Sequence, residues 1–334
     1  MVNVAINGFG RIGRLFLKAV FLKHPEINIT AINDLTDAKT LAYLLKFDSV
    51  HGKFPFEVQA KEKSIIVKNK EIPVLSEADP EKIDWSAYNT EIVLEATGVF
   101  RKKEQLEKHL KGKVKHVLLT APPKSDDINQ FVLGVNEEKF NPKKDKILSN
   151  ASCTTNCLAP LVLVLHKEFG IQRGFMTTVH AVTLDQKLLD APHKDLRRAR
   201  AAISNIVPTS TGAAKAVTKV FPELEGKLDG IALRVPVPNA SVTDFVALLN
   251  RETTVEEVNK AFKKYAEGKL KGILEYSEDE LVSTDIIGRE ASSVFDSKQT
   301  MVKGNLVKVL SWYDNEFGYA LRLADFISFM AKKI

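Results

Sequence analysis

The chain has 334 residues, 44% apolar and 27% charged, and its 48 basic against 42 acidic residues give a formal charge of +6. No low-complexity tract is visible, no apolar run reaches the ~18–20 residues of a membrane span, and the opening MVNVAINGFG lacks the basic flank and apolar stretch of a signal peptide. A soluble, cytoplasmic protein with one or two cores is therefore expected. Its lysines are scattered, without arginine–aromatic interleaving, so nucleic acid is not expected as the main partner. Anionic metabolites suit the charge equally well.

In chain order, Val2–Asn7 reads as a buried strand, followed by GFGRIG and a helical pattern over Arg14–Leu22. Ile27–Asn33 is a second strand, Lys39–Lys46 a helix, and Ser64–Val67 with Lys70–Val74 a hairpin. Strands are expected at Ile92–Ala96, Val114–Thr120, Phe131–Val135 and Ile147–Ser149, with a helix near Lys103–Leu110. Alternation of this kind predicts a doubly wound, mostly parallel sheet with helices on both faces, a Rossmann-type domain over residues 1–151. After residue 151 the pattern changes. A helix runs from Cys153 to Phe169, with irregular first turns expected at Pro160. Alternating strands follow at Gly174–Val182, Gly230–Val237, Ser241–Asn250 and Leu306–Tyr313. Helices are expected after Gly212 and at Val255–Glu267. Short links such as Pro238-Asn239-Ala240 suggest a largely antiparallel sheet covered on one face, an α+β domain over 152–315. The terminal helical stretch, within 316–334, is expected to pack back on the first domain.

Gly8-Phe9-Gly10-Arg11-Ile12-Gly13 is a GxGxxG set between a strand and a helix, and Asp34 ends the second strand 21 residues beyond Gly13. The glycines suit a tight turn and close approach to a pyrophosphate, and the helix N-terminus faces it with N–H groups. Asp34 can accept from ribose hydroxyls and would repel a 2′-phosphate, which favours NAD over NADP.

Both cysteines, Cys153 and Cys157, lie in SNASCTTNCLAP. Two thiols in a chain expected in the cytoplasm argue against a disulfide framework, and without a CxxC pair or histidine cluster they are too few for structural zinc; no metal is expected. In isolation, two small buried residues would be the preferred reading. A nucleotide fold changes the weighing. At a helix start and a domain junction, Cys153 is placed to have a lowered pKa, and His180, near the end of GFMTTVHAV, can serve as its base. Cys157 reads as packing.

Together SNASCTTNCLAP, INGFGRIGR, PHKDLRRARAA, TSTGAAKAV and WYDNEFGY closely resemble the phosphorylating glyceraldehyde-3-phosphate dehydrogenases, from Val4 to about Asp325 and in the family's order. The resemblance implies that Cys153 attacks the aldehyde to give a hemithioacetal. His180 acts as base while hydride passes to NAD, and inorganic phosphate releases 1,3-bisphosphoglycerate from the thioester. It further implies Thr183 and Arg234 at the substrate's phosphate, and Ser152, Thr154, Arg198, Thr211 and Gly212 at the attacking phosphate. Arg11 and Ile12 would meet the pyrophosphate, Thr120 would lie near the cofactor, and Asn315 would hold the nicotinamide carboxamide. A homotetramer is the family's expectation. The chain departs from the family pattern at Leu184, where an amide is common, and at Ala191, Ala78 and Leu321. Pro192 and Asp34 keep NAD ahead. Two rival readings stay open: an erythrose-4-phosphate dehydrogenase of the same fold, and a non-catalytic nucleotide-fold binding protein with a redox-sensing cysteine.

Overall fold

In the computed structural model, which describes residues 1–334, the chain divides into two units. Residues 1–131, 138–151 and 320–334 form one, and residues 132–137 and 152–319 the other. The first is built on β1 (Val2–Asn7), β2 (Ile27–Asn33), β3 (Val58–Lys61), β4 (Ser64–Val67), β5 (Lys70–Leu75), β6 (Ile92–Glu95), β7 (His116–Leu119), β8 (Asn129–Gln130) and β9 (Ile147–Ser149). Their order is β3-β4-β5-β2-β1-β6-β7-β9-β8. From β5 to β8 every pairing is parallel, and β3, β4 and β5 form an antiparallel meander. The central strands are buried on both faces, which explains their near-continuous apolar runs. The sheet is doubly wound about β1, with β2 on one side of it and β6 on the other. That arrangement puts a topological switch point at the carboxyl ends of β1 and β6.

Helices α1 (Arg11–Lys23) and α2 (Ala38–Lys46) follow β1 and β2; α2 is started by Asp37, whose carboxylate accepts from Thr40 N. The helix expected over Lys103–Leu110 is a short α3 (Lys103–Leu106) continued by a 3₁₀ turn, Glu107–His109. Phe131–Val135 is not a strand. Val132 N donates to Asn136 Oδ1 (2.8 Å), and Val135 N and Asn136 N donate to Val132 O, so these groups are used within a turn and cannot extend a ladder.

The second unit contains α4 (Cys153–Phe169), β10 (Ile171–His180), β11 (Val207–Ser210), α5 (Ala213–Val220), β12 (Leu228–Arg234), β13 (Ser241–Leu249), α6 (Val255–Glu267), β14 (Leu274–Ser277), β15 (Ser293–Lys303) and β16 (Leu306–Tyr313). Strand order is β11-β12-β10-β13-β16-β15-β14. Pairing is antiparallel except for β10 with β12 and β14 with β15. Buried along nearly all of its length, α4 lies across β10, β13, β16 and β15, flanked by α5 on β12 and α6 on β14 and β15. Pro160 sits inside an unbroken α4, contrary to the expected irregularity. Gly170 ends the helix at φ 71°, where a Cβ would also lie 2.2 Å from Asn250 Nδ2. The link through Pro238-Asn239-Ala240 does not make a hairpin, because β10 lies between β12 and β13. β15 escapes the alternation rule because its register shifts between Asp296 and Met301, and its buried Asp296 accepts from Trp312 Nε1 at 3.1 Å. No helix is long and apolar enough to cross a membrane.

The last helix, α7 (Phe317–Ala331), contributes residues 320–331 to the first unit. There Phe326 stacks on Phe131 and meets Phe140 edge-on. His24, at the C-cap of α1, reaches Glu26 through Nδ1 (2.8 Å) and Asp325 through Nε2 (2.9 Å); Arg322 also pairs with Asp325, and Ser328 donates to Glu26. Burial works against a charge on His24, but the bonds to Asp325 and Glu26 outweigh it and raise the pKa above its ordinary 6.5. The clasp therefore adds stability that is complete below about pH 6.5 and is lost as pH rises through the raised value. His24→Gln should melt about 2 °C below the parent at pH 5.5, with the gap closing at pH 9. A gap that widens with pH would contradict the pairing.

Candidate active site

In the first unit, the turn after β1 is shaped for close backbone approach. Gly8 has φ 93°, and a Cβ there would lie 2.6 Å from Thr97 N, so the turns after β1 and β6 touch. A Cβ on Gly13 would meet Gly8 O at 2.2 Å, whereas one on Gly10 would meet nothing within 4 Å. Gly10 is the N-cap of α1, without a side-chain cap or an acidic residue in the first turn. The open side at Gly10 and the uncapped helix start make a cradle for a diphosphate. Asp34 Oδ2 accepts from Phe9 N (2.7 Å) and Oδ1 from Thr36 N (2.9 Å), which fixes the carboxylate with lone pairs to spare for ribose hydroxyls. Arg11 is tied through its side chain to Asp48 (3.2 Å), which leaves the backbone of Arg11 and Ile12 as the face of the turn. Asp48 is pulled down to about 2: burial opposes this, but the N–H groups of His51 and Val50, with Arg11 and Lys18, prevail. These residues fit a dinucleotide.

A buried network holds the two turns. Glu95, fully buried, accepts from Asn7 Nδ2 (2.6 Å) and Thr97 N (2.9 Å) and lies 3.2 Å from His109 Nε2. Trp85 Nε1 donates to His109 Nδ1 (3.0 Å), so the ring's proton is on Nε2, donated to Glu95. Thr120, at the end of β7, donates its N–H to Glu95 O. The sequence offered no signal for this network, because its members are far apart in the chain.

In the second unit, Ser152 caps α4, its Oγ accepting from Thr155 N, and Ala151 before it is left-handed at φ 56°. Cys153 is the first helical residue, with no acidic residue in the first turn. Its Sγ lies 3.5 Å from His180 Nε2. The parallel register of β10 and β12 puts His180 directly beside Arg234, at the carboxyl ends of both strands. His180 Nδ1 is 2.7 Å from Ala181 O and also contacts Arg234 Nη1, which donates to Ala181 O at 3.1 Å. The carbonyl can only accept and the guanidinium only donate, so the Nδ1 proton decides the site. With it, Nδ1–H bonds Ala181 O and Nε2 turns a lone pair toward Sγ; without it, Nε2 carries the proton.

Burial, then the charge of Arg234, pushes His180 down to about 3. Cys153 is only partly buried as a residue, yet enclosure raises its thiol above 9.0, with Arg234 and hydrogen bonds from Thr154 opposing. The thiol is thus not lowered as the helix start alone suggested: desolvation outweighs the helix N–H groups. Thr154 Oγ1 and Thr178 Oγ1 both meet the buried Tyr313 Oη at 2.8 Å, which ties the first turn of α4 to β10 and β16. Cys157 is fully buried among Ser293 and Ser311, and burial pushes its thiol up to about 11.

Thr183 and Arg198 are joined by one carboxylate, Asp185, which accepts from Thr183 Oγ1 and from Arg198 Nη1 (2.5 Å). Arg198 Nε donates to Thr209 Oγ1 (2.8 Å). Thr211 accepts from Ala213 N, and Gly212 caps α5 without a side-chain bond. Asn315 Oδ1 accepts from Ser241 Oγ, itself the acceptor for Ala181 N, which sets Asn315 beside the His180 strand. The structure therefore joins Cys153, His180 and Arg234 directly, Thr154 through Tyr313, Thr183 to Arg198 through Asp185, and Asn315 through Ser241. Ser152, Thr211 and Gly212 sit at helix starts, positioned by capping. Tyr313, Thr178, Ser241 and Asp185 were not picked out from the sequence as site residues, although Tyr313 lies in WYDNEFGY. No group of three or more His, Cys, Asp or Glu is placed to hold a metal ion.

Two family descriptions match the chain: "Glyceraldehyde 3-phosphate dehydrogenase, NAD binding domain" over residues 2–103 and "Glyceraldehyde 3-phosphate dehydrogenase, C-terminal domain" over residues 152–315. Similar proteins include glyceraldehyde-3-phosphate dehydrogenase 1 of Bacillus cereus, 57% identical over 334 residues, 100% of this chain and 99% of that one. The glyceraldehyde-3-phosphate dehydrogenase of Geobacillus stearothermophilus is 57% identical over 333 residues, and glyceraldehyde-3-phosphate dehydrogenase 1 of Bacillus subtilis 55%, each covering 99% of both chains.

The two thiols should behave differently toward a neutral alkylator. Iodoacetamide should label Cys153 at a rate that climbs with pH through and beyond 9, the direction set by its raised pKa, and leave the enclosed Cys157 unlabelled. Peptide mapping after partial labelling checks this. Modification of Cys157 first would reverse the assignment.

Proposed function

The chain belongs to the glyceraldehyde-3-phosphate dehydrogenase family, and from the geometry of its site we propose how its residues perform that family's reaction. The protein is an NAD-dependent oxidoreductase that converts D-glyceraldehyde 3-phosphate and inorganic phosphate to 1,3-bisphosphoglycerate, through a hemithioacetal and a thioester on cysteine. One observation carries the assignment of roles: Cys153 Sγ lies 3.5 Å from His180 Nε2, in a ring whose Nδ1 has Ala181 O as a fixed acceptor.

Gly8, Gly10, Gly13 and the backbone of Arg11 and Ile12 would hold the NAD diphosphate and Asp34 the adenosine ribose, with Thr120 near the cofactor; in the second unit, Asn315 would hold the nicotinamide carboxamide. NAD, when bound, accepts the hydride. Cys153 forms the S–C bond to the aldehyde carbon while His180 Nε2 takes the thiol proton. That proton passes to the aldehyde oxygen, which completes the hemithioacetal and frees the ring. His180 is next the base for the new hydroxyl, and loss of its proton together with the hydride from the same carbon leaves a thioester. Phosphate held by Ser152, Thr154, Arg198, Thr211 and Gly212 attacks the acyl carbon, and the S–C bond breaks with Cys153 leaving as thiolate. Arg234 and Thr183 hold the substrate's own phosphate. When Arg234 turns to that phosphate, it stops donating to Nδ1 and its field on the ring is neutralised. His180 is then left in the tautomer that bonds Ala181 O and accepts at Nε2, with a higher pKa.

NADH formation from glyceraldehyde 3-phosphate tests the reaction. Steady turnover should require phosphate or arsenate, and without either the reaction should stop after about one equivalent per site, because the thioester has no acceptor. Sustained turnover without an acceptor would remove the thioester from the scheme.

Arg234→Leu separates substrate binding from chemistry. Loss of a charge-assisted bond worth ~1.5–3 kcal/mol should cut kcat/KM for glyceraldehyde 3-phosphate about ten- to a hundredfold. Unphosphorylated glyceraldehyde should suffer far less. Equal losses would make Arg234 structural.

A cytoplasmic homotetramer is the working assembly. The exposed apolar side chains Leu184, Leu188, Leu196, Ile203, Phe175 and Ile231 of the second unit are what a subunit contact would cover.

A further inference from the structure

Asp185 is a carboxylate on an exposed loop, yet its two oxygens are spent on groups from both phosphate positions. Oδ1 accepts from the hydroxyl of Thr183 and Oδ2 from Nη1 of Arg198. Thr183 belongs with Arg234 at the substrate's phosphate, and Arg198 belongs to the attacking phosphate. The rest of Arg198 is anchored elsewhere: Nε on Thr209 Oγ1 and near Asp195 (3.4 Å), and Nη2 toward Ser210 O (3.5 Å). Only Nη1 is held by a partner from the loop that carries Thr183. Burial disfavours the charge on Asp185, but the Thr183 hydroxyl, then Arg198 and Arg234, hold its pKa below the ordinary carboxylate value. Near neutral pH it is an anion in the field of both arginines.

We propose that Asp185 is an internal anion shared by the two phosphate positions, a positioning residue whose release from one of them frees the other. The inference rests on the site assignment above. A phosphate reaching Thr183 and Arg234 brings negative charge against Asp185 and takes its Thr183 donor. A carboxylate repelled in this way leaves Arg198 Nη1 open to the second phosphate. Ion pairs at exposed positions are worth little, so the contact can give way. The coupling is reciprocal by thermodynamic necessity. Without the shared carboxylate, only repulsion between two phosphates remains, and occupancy of one position would not favour the other. The arrangement orders the reaction: the acceptor phosphate is bound well only where a phosphorylated aldehyde is already in place.

The test is the Michaelis constant for inorganic phosphate, measured on the NAD-loaded enzyme with glyceraldehyde and then with glyceraldehyde 3-phosphate. In the parent the constant should be about fivefold lower with the phosphorylated aldehyde. In Asp185→Asn it should be low with both, within about twofold of each other. Asp185→Glu, which keeps the charge, should restore the difference. A parent that shows no difference, or an Asp185→Asn enzyme that keeps the parent's ratio, overturns the proposal. Arg198→Leu tests the underlying assignment separately, since it should raise the phosphate constant about tenfold or more with either aldehyde. If it does not, the phosphate position is wrong; if it does while Asp185→Asn behaves as the parent, only the shared anion is wrong.

Discussion

The chemistry of the second unit depends on one register: β10 runs parallel to β12 with His180 opposite Arg234. Burial first, and then the cation that this pairing sets against the imidazole, keep the ring neutral near neutral pH. A ring kept neutral is available as a base, but one held as low as about 3 is a weak one. The same arginine adds to that weakening, and it is the group we propose for the substrate's phosphate. On that proposal, binding energy at the phosphate end of the substrate would be converted into base strength at the aldehyde end. Interactions of this type raise turnover as well as affinity.

Cys153 shows two effects in opposition. A helix start favours a thiolate, and enclosure disfavours it; in this site enclosure prevails and the thiol stays protonated near neutral pH. A thiol held protonated would need a base at the moment of attack, and on the roles proposed above the 3.5 Å approach to His180 supplies it. Tyr313, locked between Thr154 and Thr178, keeps that approach constant by tying the first turn of α4 to β10. Cys157 one turn along has no comparable access, so proximity in sequence does not make it an alternative nucleophile.

The features legible in the sequence are those written locally. GFGRIG and Asp34 work through backbone geometry within a single βαβ unit, and their spacing survives in a linear reading. Cys153 at the start of α4 and Gly170 just past its end are legible for the same reason. The antiparallel half was harder to read. β15 loses its alternation at a register shift and buries Asp296 against Trp312. The link through Pro238 has the length of a hairpin, but a third strand occupies the space between its arms. Phe131–Val135 is apolar enough for a strand and is turned by the side chain of Asn136. Contacts such as Thr154 with Tyr313, or Glu95 with His109, join residues whose separation no pattern encodes. The raised thiol follows from packing, which only the folded chain specifies.

A common thread links the anion-handling groups. Arg234 is engaged by His180 and Ala181 O, and Arg198 by Asp185, Asp195 and Thr209. A buried or half-buried guanidinium without a partner would cost several kcal/mol, so the fold supplies one for each. On the assignment proposed above, a phosphate reaching either arginine would exchange with an internal partner, and the net gain would be the difference between two charge-assisted contacts. Such exchange would keep affinity for any single phosphate moderate, which suits a site that must release a product bearing one more phosphate than its substrate. Each arriving phosphate would then displace a protein group with somewhere else to act, whether His180 on Ala181 O or Asp185 away from Arg198. In this proposal the internal partners are the route by which binding at one point of the site would change readiness at another.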